Sequence, residues 1–288
     1  MGEASVPVDV LNPGQVFACF GLLEAATDLL GDGEGGFDWS DPTQTRFRLR
    51  ACGEGSPVEA VLGFLDEAKA IAIAPAGGRN AWRREWGERR TEAAGAPYPF
   101  PEPSSPATLV CLLEAGARRV RIDHWGDATR RDNMKFWGGS AGKPGVAFAN
   151  DALGLVRGAC LRAAADPFSV GRPQSGSFRF DWRRDYIPID AGFSRNEHSD
   201  MVPVGFPLVE LLAAIGLTHA RPERLQKLRY RYALIGCPEG GGLLPASLLR
   251  ASLGGVRMPF PTRRFTMNLG YPGKEGQARA ITTVNEEP

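Results

Sequence analysis

The side chains best able to do chemistry crowd residues 118–143: Arg118, Arg119, Arg121, Arg130, Arg131, Lys135 and Lys143, interleaved with Trp125, Phe136 and Trp137. Guanidinium and ammonium groups pair with phosphates while aromatic rings carry bases, so this mixture is the chemistry of single-stranded nucleic-acid binding. The plain alternative is a solvated hairpin face whose rings are core and whose charge is partly cancelled by Asp123, Asp127 and Asp132. A similar arginine and tryptophan mixture recurs from Trp82 to Arg90.

Within that segment, "KFWGGSAGKPG" at 135–145 carries the glycines of a phosphate loop. A G-x-x-x-x-G-K-[ST] loop wraps phosphates in backbone amides and uses the hydroxyl after its lysine to hold magnesium. Here Trp137 occupies the place of the first glycine, and Pro144 stands where the hydroxyl belongs. Both failures fall on working atoms, and the proline also removes an amide donor. Nucleotide hydrolysis at this loop is disfavoured, and no G-x-G-x-x-G follows a predicted strand to make a dinucleotide site.

A hydrolytic reading takes Asp123, His124 and Asp127 in "RIDHWGD" together with Glu197, His198 and Asp200 in "NEHSD" as acid-base or metal groups. Neither island has the i, i+4 pairing of H-E-x-x-H, so a metal site would rest mainly on carboxylates. No G-x-S-x-G is present, and the five cysteines, Cys19, Cys52, Cys111, Cys160 and Cys237, are widely spaced without a C-x-x-C. They read as reduced core thiols, and no covalent mechanism, metal or other cofactor is expected.

These groups must be positioned by elements legible in the apolar pattern. Asn12 and Pro13 form a helix start, and the run that follows reaches Gly31 with helical spacing. Two short strands flank a turn at Asp41-Pro42, the second alternating Phe47 and Leu49 with Arg46, Arg48 and Arg50; an arginine face of that kind calls for water or a polyanion. Ser56 and Pro57 open a second helix, and "AIAIA" at 70–74 is a buried strand. From Pro75 to Pro106 periodicity is lost in a Gly, Pro, Arg and Trp-rich insertion, too long for an idle connector. A hairpin around Ala115-Gly116 leads into the cationic segment. A helix at 146–165, a strand "GSFRFDWRR", a helix at 206–216, a strand "KLRYRYALIG" and two further elements complete the chain, with a disordered-looking tail "ITTVNEEP".

Hairpins outnumber strand-helix-strand units, so the expected class is α+β, with a mixed or antiparallel sheet core and long loop insertions, as one domain over 1–288. No apolar run is long enough to span a membrane and no secretory leader is visible, which points to a cytoplasmic protein. Of 34 basic residues only five are lysine, and the net charge of +1 hides eight acids and no Lys or Arg in residues 1–45. Arginine suits bidentate phosphate recognition, although a GC-rich genome would enrich it equally.

The chain resembles CRISPR-associated proteins of the subtype I-U (I-G) effector class, of the Cascade type. The resemblance rests on "LNPGQVFACFGLLEAA", on "RIDHWGDATRRDNMKFWGG", where that family has a strand ending in an Asp and Trp pair and then a Lys-x-Trp-x-Gly segment, and on "GFSRNEHSDMVPVGFPLVELLAAIGL". It implies a non-catalytic subunit of an RNA-guided DNA surveillance complex in antiviral defence, with an RRM-like (ferredoxin-like) core. Guide RNA, target DNA and the other subunits of the complex are then its partners, and base pairing reads the sequence while the protein holds backbone. Lys135 and Trp137 carry over first; at His124 the family favours another aromatic.

The leading expectation is therefore binding through Arg118, Arg119, Arg121, Trp125, Arg130, Arg131, Lys135, Trp137 and Lys143. Two alternatives stay open. One is a metal-dependent nuclease or CRISPR RNA-processing enzyme using Asp123/His124 and His198/Asp200; the other is a purely structural subunit whose basic face meets acidic protein, such as the acidic first 45 residues of a neighbouring copy.

Overall fold

The computed structural model describes residues 1–41, 43–76, 82–92, 109–124, 139–140, 143–157, 159, 161–184, 202–238, 240–270 and 280–288. The chain opens with β1 (Gly2–Pro7), α1 (Pro13–Leu30), β2 (Glu34–Asp38), β3 (Arg46–Ala51), α2 (Pro57–Glu67) and β4 (Lys69–Ala74). Next come β5 (Glu88–Thr91), β6 (Val110–Ala115), β7 (Arg118–Ile122), the short β8 (Gly139–Ser140) and β9 (Lys143–Pro144), and α3 (Gly145–Arg157). β10 (Arg172–Pro173), β11 (Val204–Gly205), α4 (Pro207–His219), β12 (Glu223–Gln226) and β13 (Arg229–Ile235) follow. β14 (Leu244–Pro245), α5 (Ala246–Leu253), β15 (Thr262–Gly270) and β16 (Ala280–Glu287) end the chain.

Among the described residues this is an α+β protein of five helices and small, mostly antiparallel sheets. Three sheets have four strands, ordered β1-β3-β2-β14, β5-β4-β6-β7 and β12-β13-β15-β16; β10-β11 and β8-β9 are two-stranded ladders. Of the strand pairs described, β4 with β5 is the parallel one.

The helix starts follow from their caps. Asn12 Oδ1 accepts the Gly14 amide at 3.1 Å, with Pro13 at the first helical position where no amide is needed. Ser56 Oγ caps α2 in the same way by accepting the Glu59 amide at 3.2 Å. α1 is apolar around most of its circumference because it lies between layers and packs chiefly on α4, which is apolar for the same reason. A continuous core runs from Val6 to Ile281 and holds Phe17, Phe20, Phe37, Phe47, Phe64, Tyr230, Tyr232 and Phe265. Each such ring contributes about 1.5–3 kcal/mol on burial.

Several expectations are corrected. The tail is strand β16, paired along β15, because Glu286 and Glu287 meet Arg263 and Arg231. "GSFRFDWRR" is not a strand: Arg179 adopts φ +66°, which breaks extension, and both Phe178 and Phe180 turn into the core. The helix expected to reach 165 stops at Arg157, immediately before a glycine, and a 3₁₀ turn occupies Leu161–Ala163. Strand β1 has no signature in the sequence pattern. Part of the 75–106 insertion is β5, an edge strand, while residues 77–81 and 93–106 lie outside the described residues.

Two of the three arginines on the face of β3 have counterions within the chain, and Arg46 is held by Ser5 and Gln44 instead. Arg48 donates to Glu3 at 2.7 Å and Arg50 to Glu34, across the flanking strands β1 and β2. These acids of the first 45 residues therefore find their counterions within the chain, as Glu24 does in Arg250.

Among the described residues no helix is long and apolar enough to cross a membrane. Cys19 and Cys111 are buried free thiols, Cys52 and Cys237 are free and half-buried, and Cys160 lies outside the described residues. Burial pushes the Cys111 thiol well above its ordinary value, which suits an inert core residue.

Candidate functional site

The β6-β7 hairpin aligns Leu113 with Val120 and Cys111 with Ile122 on the core side. The opposite side then receives Arg119, opposite Glu114, and Arg121, opposite Leu112. Continuing through the sheet, the same side carries Lys69 and Ile71 on β4 and Glu88 and Arg90 on β5. Period-2 alternation is what gathers these cations onto one surface.

Their ion pairs form a chain. Lys69 meets Glu88 at 3.1 Å; Arg90 meets Glu88 at 2.7 Å and Glu114 at 2.8 Å; Arg119 meets Glu114 at 3.2 Å. Arg121 meets Asp123 at 2.8 Å. Four cations thus share three carboxylates. Glu114 has only 9% of its side chain exposed. Burial pushes its carboxyl up, but the hydrogen bond and charge of Arg90, with Arg119 behind them, outweigh that and hold it below the usual range. Glu88 is also held low, first by the hydrogen bond from Arg90 and then by Lys69. The cations are more open, with Arg119 62% and Arg121 42% exposed.

Arg118 stands apart from this face. It pairs with Glu67 at 2.5 Å and lies 5.7 Å from the Phe64 ring centre, pinning the hairpin to α2. Lys143 begins β9, its side chain outside the described residues, as are Trp125, Arg130, Arg131, Lys135 and Trp137. Of the nine expected binding residues, the structure brings Arg119 and Arg121 together on one surface and assigns Arg118 to another.

The two described members of the first acid-histidine island serve different surroundings, and its third, Asp127, lies outside the described residues. Asp123 Oδ2 accepts a hydrogen bond from Arg121 Nε at 2.8 Å, and the Asp123 amide donates to Thr218 Oγ1 at 3.0 Å. His124 is 2% exposed and stands edge-on to Phe178 and Phe180, with ring centres 6.3 and 5.5 Å away. Glu197, His198 and Asp200 of the second island lie outside the described residues. Among the described residues no group of three or more His, Cys, Asp or Glu is placed to hold a metal ion.

A polar network at the head of α1 joins residues that no sequence motif connects. Asn12 donates to Asp181 Oδ1 at 3.0 Å; Arg183 grips Asp181 through Nε and Nη2; the Asp181 amide donates to Glu210 Oε1 at 3.0 Å. Arg183 also donates to the Phe168 carbonyl at 2.8 Å and stacks 3.4 Å over Phe206. Asn12, Asp181 and Glu210 are fully buried. Beside the network opens a cleft of about 500 Å³, formed by residues 7–11, Gln15, the turn at 43–45, Asp166, Ser169, Arg183 and Arg263. Nothing in the sequence spacing joins positions 12, 181 and 210, and Asp181 and Arg183 fall in a stretch whose pattern reads only as a strand.

Comparisons with family models, with curated proteins and with solved structures find no match for this chain.

Proposed function

We propose that this protein is a non-catalytic, nucleic-acid-binding subunit of an RNA-guided CRISPR surveillance complex, holding the backbone of guide RNA or target strand. The observation that carries this reading is the face of Lys69, Arg90, Arg119 and Arg121, where cations outnumber the carboxylates that hold them. The pair of Lys69 with Glu88 is exposed on both sides, and such pairs are worth only about 0–1 kcal/mol, so a phosphate can replace that carboxylate at little cost, whereas Glu114, 9% exposed, needs to keep one of its two arginines. The pairs also hold each guanidinium extended over the sheet, lowering the entropy lost on binding. β7 leads directly into the Trp125–Lys143 segment, where the remaining expected contacts belong.

The element order lends support to an RRM-like core. The first six elements run β-α-β-β-α-β, and β1, β3 and β2 pair in that spatial order, with β3 central. β4 departs from the pattern by joining β5, β6 and β7. The burial of His124 among phenylalanine rings fits a core residue better than a general base, which favours binding over the nuclease alternative.

The test is fluorescence anisotropy with single-stranded RNA and DNA over a salt series, alongside the absorbance ratio of the purified protein before and after ribonuclease. Binding whose logarithm falls linearly with log salt is expected. Absence of nucleic acid both from the purified protein and from crosslinks within the assembled complex overturns the reading.

A further inference from the structure

We infer that the cleft at the head of α1 is a subsite for one unstacked nucleobase of a single strand. This rests on the nucleic-acid-binding function proposed above and adds a second, chemically different contact to it. The inference starts from Gln15, which lines the cleft yet is only 5% exposed. Its Oε1 accepts the Asp9 amide at 2.7 Å, which fixes the side-chain amide. Its Nε2 has no acceptor among the described residues, so two N–H donors stand anchored at the wall of a polar cavity. Water in the open cleft satisfies these donors in the free protein, and a ligand acceptor held at the same place can take over its hydrogen bonds.

Charge decides what that partner is. Arg183 is neutralised by Asp181, and Arg263 by Glu286 at 2.7 Å. Asp9 and Asp166 add negative charge, their carboxylates accepting only backbone and Ser169 hydroxyl protons. The wall is therefore unfavourable to a phosphate within it. It favours an uncharged planar ring with acceptors for the Gln15 amide and N–H donors for the carboxylates, which describes a base edge. About 500 Å³ lies within the range of small-molecule sites, about 300–1,000 Å³.

A cation for the phosphate adjoins the rim, hydrogen-bonded to Gln44. Arg46 is held by neutral acceptors only, Ser5 Oγ at 3.0 Å, the Ser5 carbonyl at 3.2 Å and Gln44 Oε1 at 3.2 Å. It has no carboxylate partner among the described residues, and Gln44 is itself part of the cleft rim. One nucleotide can then place its base against Gln15 and its phosphate on Arg46.

The experiment crosslinks the full chain to single-stranded RNA carrying one 5-iodouridine and maps the adducts, with affinity measured on the same samples. Adducts are expected on segments 7–15, 43–45 or 166–169. Thr43→Trp, at the exposed rim, blocks the mouth; Gln15→Glu keeps the oxygen used by Asp9 and removes the amide donors. Each is expected to reduce adduct yield by about tenfold, with thermal melting showing that the variant is folded; if Gln15→Glu does not fold, Thr43→Trp decides. Adducts elsewhere, or undiminished yield in folded Thr43→Trp, overturn the subsite while the proposed binding function stands. If the wild type binds no oligonucleotide, that function fails, and saturation-transfer NMR with millimolar free nucleosides decides the cleft. Transfer abolished by Thr43→Trp retains it as a base site, and no transfer removes it.

Discussion

Gly216 of α4 presses against Gly21 of α1: a Cβ at position 216 would stand 2.7 Å from the Gly21 amide nitrogen and 2.3 Å from the Phe17 carbonyl oxygen. The reverse approach is as close, since a Cβ at Gly21 would meet the Leu212 carbonyl oxygen at 1.9 Å. Backbone rather than a movable side chain fills the space on both sides. The two similar apolar helices, "FACFGLLEAA" and "LVELLAAIGL", are therefore each other's packing partners.

Gly21→Ala and Gly216→Ala are accordingly expected to destabilise the protein, although alanine favours helix. The clash costs about 1–3 kcal/mol, against a helix-propensity gain of about 1 kcal/mol. Thermal unfolding should show a lower Tm for either variant. An unchanged or higher Tm would mean that the helices separate easily at this crossing.

Glu24 is 1% exposed and receives Arg250 through Nε at 2.6 Å and Nη2 at 2.5 Å, with His219 Nδ1 3.5 Å away. Removing one partner strands a buried carboxylate, which typically costs about 3–5 kcal/mol. Because Arg250 is 35% exposed, water enters as the side chain leaves, so the expected loss for Arg250→Ala is nearer to about 2 kcal/mol. The double variant Glu24→Leu with Arg250→Met should recover most of it. A denaturant-unfolding cycle showing additive losses would refute the coupling.

How much of this was legible follows from which interactions are local. α1, α2, the β2-β3 pair and the β6-β7 hairpin are set by caps, turn residues and alternation within about twenty residues, and they stand where the pattern placed them. Strand β1 was missed because Gly2–Pro7 mixes small, acidic and apolar residues, and only pairing with β3 extends it. The tail was misread because its polar residues acquire meaning from Arg231 and Arg263, which lie 56 and 23 positions away in the chain. At the cationic face, Arg118 was expected beside Arg119 and Arg121, and the pairing of β7 with Val120 and Ile122 inward is what separates it from them. The α1 cleft was invisible, since Gln15, Asp166 and Arg263 share no local signal.

Arg118 and Arg119 are neighbours in sequence with different expected phenotypes. Arg119→Ala and Arg121→Ala should weaken nucleic-acid binding and reduce the salt slope by about 1 for each phosphate no longer neutralised. Arg118→Ala should leave the slope unchanged and lower stability slightly, because its guanidinium serves Glu67 and Phe64. Anisotropy titrations over a salt series, paired with melting curves, separate the two effects. Equal loss of slope at all three positions would place Arg118 in the binding face after all.

Acid should release the C-terminal strand before the core. Glu286 is held below the ordinary carboxylate range by Arg263, and Glu287 by the Thr266 hydroxyl and then Arg231. A carboxyl whose folded pKa lies below its unfolded value, about 4.3, contributes stability that is present above that value. It is lost as pH falls through the lower folded value. Both groups lie on β16, whose outer edge has no strand partner among the described residues, while Tyr230 and Tyr232 on β13 are fully buried two strands further in, beyond β15. Hydrogen exchange should therefore show β16 amides losing protection below about pH 4, while β13 amides remain protected. Replacing Glu286 and Glu287 with Gln should make β16 protection low and insensitive to pH. Simultaneous loss in both strands would show that these pairs do not hold the edge separately from the sheet.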